Sequence, residues 1–324
     1  MKIIKRALAV AVSLGLLAWL MSDDRWRGLG EVARRADGLT LGLVAMGFGL
    51  SYLLRTLRVF DEFRAEARGR FGACLRIVLV HNAMVNVVPF RGGEAAFPLL
   101  LRQSFGIALP RAVASLFWFR LQDAFVVMAL AAIVWPGLHP GLKALAVAAV
   151  VALAWWLPRW ARAPHDWADG KALTAKLGKV RDAFAESTRH ARFGWLWTLA
   201  NWTVKLAAQA ALLAALIPAS LAVGAAGALG AELAAILPIQ GVAGFGTYEA
   251  GAAAALLPSG IPLAAGLQVA LALHLFVIAS SVTAGAIAWL FPAPAARQAS
   301  AAAPSDLQSA SSATDGAQTK ISAE

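Results

Sequence analysis

The chain has 324 residues, 60% of them apolar and 15% charged, with a net charge of +11. Soluble domains are about 45–50% apolar and about 25% charged. The composition therefore excludes a disordered chain and points away from a soluble enzyme or a nucleic-acid-binding protein. The apolar surplus must face lipid, and the basic excess belongs in loops that meet anionic headgroups.

Lys2, Lys5 and Arg6 precede an apolar run from Ala7 to Met21. Leu20-Met21-Ser22 lacks a small-x-small cleavage pattern, so the run reads as an uncleaved first span rather than a signal peptide. Stretches long enough to cross a bilayer, about 20 residues, lie at 3–21, 38–57, 109–135, 138–158, 194–217 and 262–291. Two further apolar stretches are interrupted. One, 74–105, breaks at Pro89-Phe90-Arg91-Gly92-Gly93-Glu94, and the other, 220–258, breaks between Pro238 and Glu249. In the middle of the chain Leu173, Leu177, Val180 and Phe184 form one helical stripe flanked by Lys171, Lys176, Lys179 and Arg181. It reads either as a helix on a membrane surface, touching anionic lipid, or as a simple connector. Residues 293–324 are rich in Ala and Ser without apolar periodicity and read as a disordered cytoplasmic tail after a membrane domain at 1–292.

Lys and Arg set the expected orientation. Residues 55–76 carry six and residues 158–192 carry eight, so both segments are expected on the cytoplasmic side. Residues 22–38 run against the pattern, with four Arg balanced by four acids. Two full spans separate the rich segments, so 74–105 must enter and leave on one side as a re-entrant hairpin. By the same parity 220–258 is a hairpin opening outward, and both termini are cytoplasmic. Gly106-Ile107-Ala108-Leu109 and Gly260-Ile261-Pro262-Leu263 follow the two hairpins at matching positions. Span, hairpin and span thus recur with opposite orientation, the sequence pointer to a transporter's binding site.

The charges inside the apolar segments carry the candidate chemistry, because an intramembrane charge is costly and functional by default. Gly92 and Gly93 permit a sharp turn, and the helix restarting after them presents an N-terminus suited to an anion. Arg91 adds a fork suited to phosphate, and Glu94 either pairs with it or carries a proton. Arg120 and Asp123 share one helix face, to pair with each other or with the hairpin charges. Asn201, Lys205 and Gln209 form a polar stripe that must face the interior. The second break carries Gln240, Gly241, Gly244, Gly246 and Tyr248 before Glu249. Its glycines do not form a nucleotide loop, since no strand precedes them. Glu249 has only Lys205 as a basic partner in its half, which favours a protonated carboxyl. Asn82 and Asn86 read as helix-to-helix hydrogen bonders, and His81 and His274 as satisfied interior histidines. Cys74 is the only cysteine, and no metal-ligand grouping, cofactor motif or nucleophile–base pair stands out.

The segment from Asn86 through Asp123 resembles the membrane region of lysylphosphatidylglycerol synthases, the flippase-like family. Its Pro-x-Arg-x-Gly-Glu motif is matched by Pro89, Arg91, Gly93 and Glu94, followed by Gly106-Ile107 and by Arg120 and Asp123. Its second, Pro- and Gly-rich motif ending in Glu is matched from Pro238 to Glu249. The likeness covers about residues 5–291. Phe97 stands where the family often has a basic residue, and Gln240 where it often has a second proline. The resemblance implies a bacterial inner-membrane protein that translocates lipid. The chain ends in a short tail where full-length synthases carry an aminoacyl-transferase domain, so synthase activity is not implied.

The expected fold is an all-α polytopic membrane bundle with an inverted repeat and two facing re-entrant hairpins. The expected function is movement of a phospholipid or other amphipathic lipid, without enzymatic chemistry. The substrate-binding candidates are Arg91, Gly93, Glu94, Arg120, Asp123, Asn201, Lys205, Gln240, Gly241, Gly244, Tyr248 and Glu249. A proton-coupled transporter of small solutes, a membrane enzyme acting on a lipid phosphate and a scaffold for a separate lipid-synthesis enzyme stay open as alternatives.

Overall fold

The computed structural model describes residues 29–88, 92–135, 137–164, 172–236 and 242–290. The N-terminal run at 3–21, the tail at 293–324, and Pro89, Arg91, Lys171, Pro238, Gln240 and Gly241 lie outside the described residues, as do the side chains of Leu173 and Lys176.

The described residues contain α-helices and short 3-10 turns and no strand. The helices are α1 (Leu29–Ala33), α2 (Gly38–Glu62), α3 (Phe71–Val87), α4 (Ala96–Phe105), α5 (Leu109–Val134), α6 (Pro140–Arg162), α7 (Ala172–Ser187), α8 (Gly194–Leu216), α9 (Leu221–Ile236), α10 (Thr247–Leu256) and α11 (Leu263–Leu290). Five of them, α2, α5, α6, α8 and α11, are long and apolar enough to cross a bilayer, and α3 and α9 are shorter apolar helices. The protein is a polytopic helical bundle.

Local sequence explains the ends. The Asp37 carboxylate accepts from Thr40 N at 2.7 Å and caps α2. Pro110 and Pro140 open α5 and α6, where a missing N–H costs nothing. The arms of both interrupted segments end at a glycine in the left-handed region, Gly106 (φ 72°) and Gly260 (φ 79°), a conformation other residues adopt at a cost. Between α3 and α4 the chain turns through a 3-10 segment at Gly92–Ala95. A Cβ on Gly93 would overlap the Met84 carbonyl, so only glycine lets this turn fold back against the end of α3.

The packing has a regular plan. α2 lies along α8, α3 along α11 and α9 along α5. Within each set α2 meets α3 and α8 meets α9, while α4 meets α5 and α10 meets α11. These contacts map onto one another when α2, α3, α4 and α5 are exchanged for α8, α9, α10 and α11, while the further contacts of α8 with α5 and α11 have no close counterpart at α2. One core runs through α2, α5, α8, α9, α10 and α11, with Phe48, Val127, Leu213, Leu256 and Leu273 at its centre. A second joins the end of α2 to α3, α4 and α5 through Phe63, Ile77, Phe97, Leu101 and Phe119. Large apolar side chains such as Leu39, Met46, Leu145 and Trp289 point outward, as a bundle in lipid requires.

Two sequence expectations need correction. The segment 55–76 is not all loop: α2 continues to Glu62 and α3 starts at Phe71, so Arg55, Arg58 and Arg76 are helical. Charge marks the end of an apolar window, but it does not end a helix whose charged groups find partners inside. The stripe on α7 is also divided. Phe184 is buried with Ala185 against Trp118 and Ala161, whereas Leu177 and Val180, nearer its start, are exposed.

Candidate functional site

Glu94 leaves the 3-10 turn ahead of α4. Arg120 Nη2, from α5, donates to its Oε1 at 2.7 Å, and His81 Nε2, from α3, lies 3.2 Å from its Oε2. One turn along α5 from Arg120, Asp123 Oδ1 accepts from Arg58 Nη1 of α2 at 2.6 Å and from Trp202 Nε1 of α8 at 2.9 Å. Arg120 Nη1 stands 3.6 Å from the other oxygen of Asp123. The Asp123 carboxylate therefore ties three helices together, and Arg120 bridges it to the helix break. The Arg58 guanidinium also lies over the Phe119 ring, 4.2 Å from its centre.

The second break is held differently. Glu249, in the first turn of α10, accepts from Gly246 N at 2.6 Å through Oε2. Its Oε1 lies 2.6 Å from His274 Nδ1 of α11. The N-terminus of α10 is thus capped by the protein's own carboxylate. The imidazole of His274 stacks on Tyr248 at 4.4 Å between ring centres and lies 4.7 Å from Phe245. The preceding turn passes through Ala243 (φ 54°) and Gly244 (φ 85°).

Lys205 does not serve Glu249. Its Nζ lies 2.7 Å from Glu232 Oε1 of α9, and that oxygen also accepts from Gln209 Nε2 at 2.7 Å. Gln209 Nε2 further donates to Tyr248 OH at 3.0 Å. The polar stripe on α8 faces inward as expected, but its members are divided in use. Asn201 is fully buried and accepts from Ser51 Oγ at 2.7 Å.

These groups surround a cavity of about 390 Å³, within the range of about 300–1,000 Å³ common for ligand sites. Arg55, Glu94, Arg120, Asp123, Lys205 and Glu232 supply its charged wall, and Gly244, Tyr248 and His274 close it on the side of the second break. Of the twelve residues singled out from sequence, Glu94, Arg120, Asp123, Lys205, Gly244 and Tyr248 line it. Glu249 reaches it through His274, Gly93 packs on α3, and Asn201 is spent on Ser51. Arg91, Gln240 and Gly241 lie outside the described residues.

Sequence reasoning missed Arg55, Arg58 and the role of His274; Glu232, with Lys205 and Glu249 one of three charged residues between 193 and 296, is a candidate by the cost of an intramembrane charge alone. Arg55 Nη1 donates to Asn82 Oδ1 at 2.7 Å, and among the described residues it makes no ion pair. A signal was present: Ser51, Arg55, Arg58 and Glu62 fall at i, i+4, i+7 and i+11, one polar face of a continuing helix. His274 also stands 154 residues after Arg120, the same offset as Gly260 after Gly106.

The family model of the lysylphosphatidylglycerol synthase TM region matches residues 6–285. The chain belongs to this family. No curated protein and no solved structure matches it. The match of the synthase TM region spans both helix breaks and every wall residue of the cavity, so the cavity lies wholly within the family domain. Phe97 is buried against Phe119 and the His81 ring. Among the described residues no three His, Cys, Asp or Glu side chains converge as metal ligands.

Proposed function

We propose that this protein moves an anionic lipid, or a lipid-linked headgroup, between the leaflets of a bacterial inner membrane, with no chemical step. The observation that carries the reading is the charged cavity enclosed by lipid-facing helices. Its wall holds one arginine, Arg55, with no ion pair among the described residues, beside Arg120, whose side chain is 38% exposed. A cation without a contact ion pair inside an apolar bundle is costly, and an anionic headgroup relieves that cost. Acyl chains would remain against the outward apolar face.

An inverted repeat with two facing re-entrant hairpins fits this reading. It is supported by the exchangeable packing plan, the matching left-handed glycines and the 154-residue offset that links Arg120 to His274. In this reading the termini and the basic residues around α7, among them Lys179, Arg189 and Arg192, face the cytoplasm, where they meet anionic lipid.

The test is reconstitution into vesicles carrying a fluorescent anionic phospholipid, with leaflet-selective quenching. Protein-dependent exchange above empty vesicles is expected, reduced by Arg55→Gln. Uptake of soluble anions without lipid exchange would replace lipid by a small solute, and release of a modified lipid would make the protein an enzyme.

A further inference from the structure

We propose that His274 and Glu249 form a proton-binding site on the cavity wall, with the proton carried on His274 Nε2, and that its occupancy strengthens anion binding in the cavity. The inference rests on the lipid reading above for the identity of the anion, and on geometry for the proton site. His274 Nδ1 is engaged by Glu249 Oε1 at 2.6 Å, which fixes the ring and directs Nδ1–H at a carboxylate. The opposite nitrogen, Nε2, has no hydrogen-bond partner among the described residues, and His274 lines the cavity. Gly244 leaves that edge of the ring uncovered: a Cβ there would stand 3.6 Å from Nε2. The stacked Tyr248 ring covers a face and leaves the edge free.

The proton balance is simple. With Nε2 unprotonated, a neutral imidazole and an ionised Glu249 carry a net charge of −1. One proton from cavity water makes an imidazolium beside the carboxylate, with a net charge of zero. Glu249 already receives Gly246 N and His274 Nδ1, so it stabilises the cation without moving. From α10, Glu249 and Tyr248 touch the ring directly. The cavity also receives Tyr52 and Arg55 from α2, Lys205 from α8, Glu232 from α9, Arg120 and Asp123 from α5, and Glu94 from the first break. α3, which packs along α11, contributes Asn82 and Asn86 to the wall, and Glu31 of α1 is exposed. Lys205 is matched by Glu232, and Arg120 by Glu94 and Asp123. His81 of α3 forms a second imidazole–carboxylate pair with Glu94, but there the carboxylate is already matched by Arg120; the Glu249–His274 pair has no such cation, so protonation of its imidazole changes the charge of the wall. Removing one negative charge raises anion affinity, and the coupling between the two sites is reciprocal.

The experiment uses the full chain in nanodiscs with ¹⁵N-labelled histidine, titrated between about pH 5 and 8, the range in which imidazoles change charge. A resonance absent from His274→Gln should pass from one ring N–H to two as pH falls. In Glu249→Gln, which removes the carboxylate the imidazolium would face, the second N–H should be lost or weakened across the range. No conversion in the wild type, or an unchanged conversion in Glu249→Gln, overturns the proton site, and neither result depends on lipid. Binding of dihexanoyl phosphatidylglycerol is then measured at both ends of the range. The wild type should bind more tightly at the acidic end by about 5-fold or more, the lower bound of ordinary site coupling. His274→Gln should be weak and His274→Arg strong at both ends. Equal pH dependence in all three overturns the coupling. A protein with the histidine transition that binds no lipid at any pH would fail the lipid reading and overturn the coupling, while the proton site stands.

Discussion

Glu94 and Glu249 each stand at the start of a helix that resumes after a break, 155 residues apart in the chain. Around Glu94 the partners are an arginine and a histidine, and the arginine reaches on to Asp123, which Arg58 and Trp202 also hold. Around Glu249 the partners are a backbone N–H and a histidine. His274 stands 154 residues after Arg120, and Val277 the same distance after Asp123. Both tips thus hold a histidine, but only the first adds an arginine, a cation that stays charged at any physiological pH. The difference teaches that two similar backbone layouts can be given separate duties by adding a single class of cation.

That contrast can be broken at several points. The largest loss is expected from Asp123→Ala, which strands the buried Arg58, while Arg120 keeps Glu94. Removing one partner of a buried pair costs about 3–5 kcal/mol, read as a large fall in unfolding temperature of the purified protein. Gly93→Ala comes next, because its Cβ would overlap the Met84 carbonyl. We expect about 1–3 kcal/mol of destabilisation from the forced shift, against about 1–2 kcal/mol for Gly244→Ala, which meets no backbone but needs a left-handed alanine.

Glu94→Gln and Glu249→Gln give the sharpest test of the difference itself. The first deprives a permanent cation of its carboxylate and should cost about 2–3 kcal/mol, whereas the second leaves a neutral amide beside an imidazole and should cost about 1 kcal/mol. Equal losses in thermal melts would mean that the two tips are held alike. The smallest effect on stability is expected from Arg55→Gln, since that side chain has Asn82 as its sole hydrogen-bonded partner among the described residues. Its melting temperature should stay near wild type while lipid exchange falls by about tenfold, the worth of one charge-assisted contact. A fall in stability without a fall in exchange would make Arg55 a structural residue.

Much of this architecture was legible in the chain. The spans at 38–57, 109–135, 138–158, 194–217 and 262–291 correspond to α2, α5, α6, α8 and α11, because bilayer thickness imposes a length that hydropathy reveals directly. The two interrupted stretches correspond to α3 with α4 and α9 with α10, announced by Pro and Gly. Glu94, Arg120 and Asp123 were legible as a group because two of them share a helix face and the third opens a turn. Partner assignment was not legible. With only Lys205 as a basic residue in its half, Glu249 reads from sequence as a protonated carboxyl without a mate, yet Lys205 goes to Glu232 on the neighbouring α9 and a histidine from α11 meets Glu249. Sequence distance says nothing about which helices touch, and counterions are chosen by touch. Arg55 and Arg58 were hidden for a different reason: they sit where an apolar window ends, and a helix interior was mistaken for a loop.

The crossing of α9 and α10 has a consequence for how this sequence can drift. Gly230 and Gly251 meet backbone to backbone, and a Cβ on either would strike the carbonyl of the other. Each residue of a helix is turned by about 100° from the last. Adding or deleting one residue in either arm, on the side of the glycine nearest the break, would therefore swing an alanine or leucine into a space that admits only hydrogen. Length changes in this region are confined to the connecting turn, and the arms can vary only by substitution.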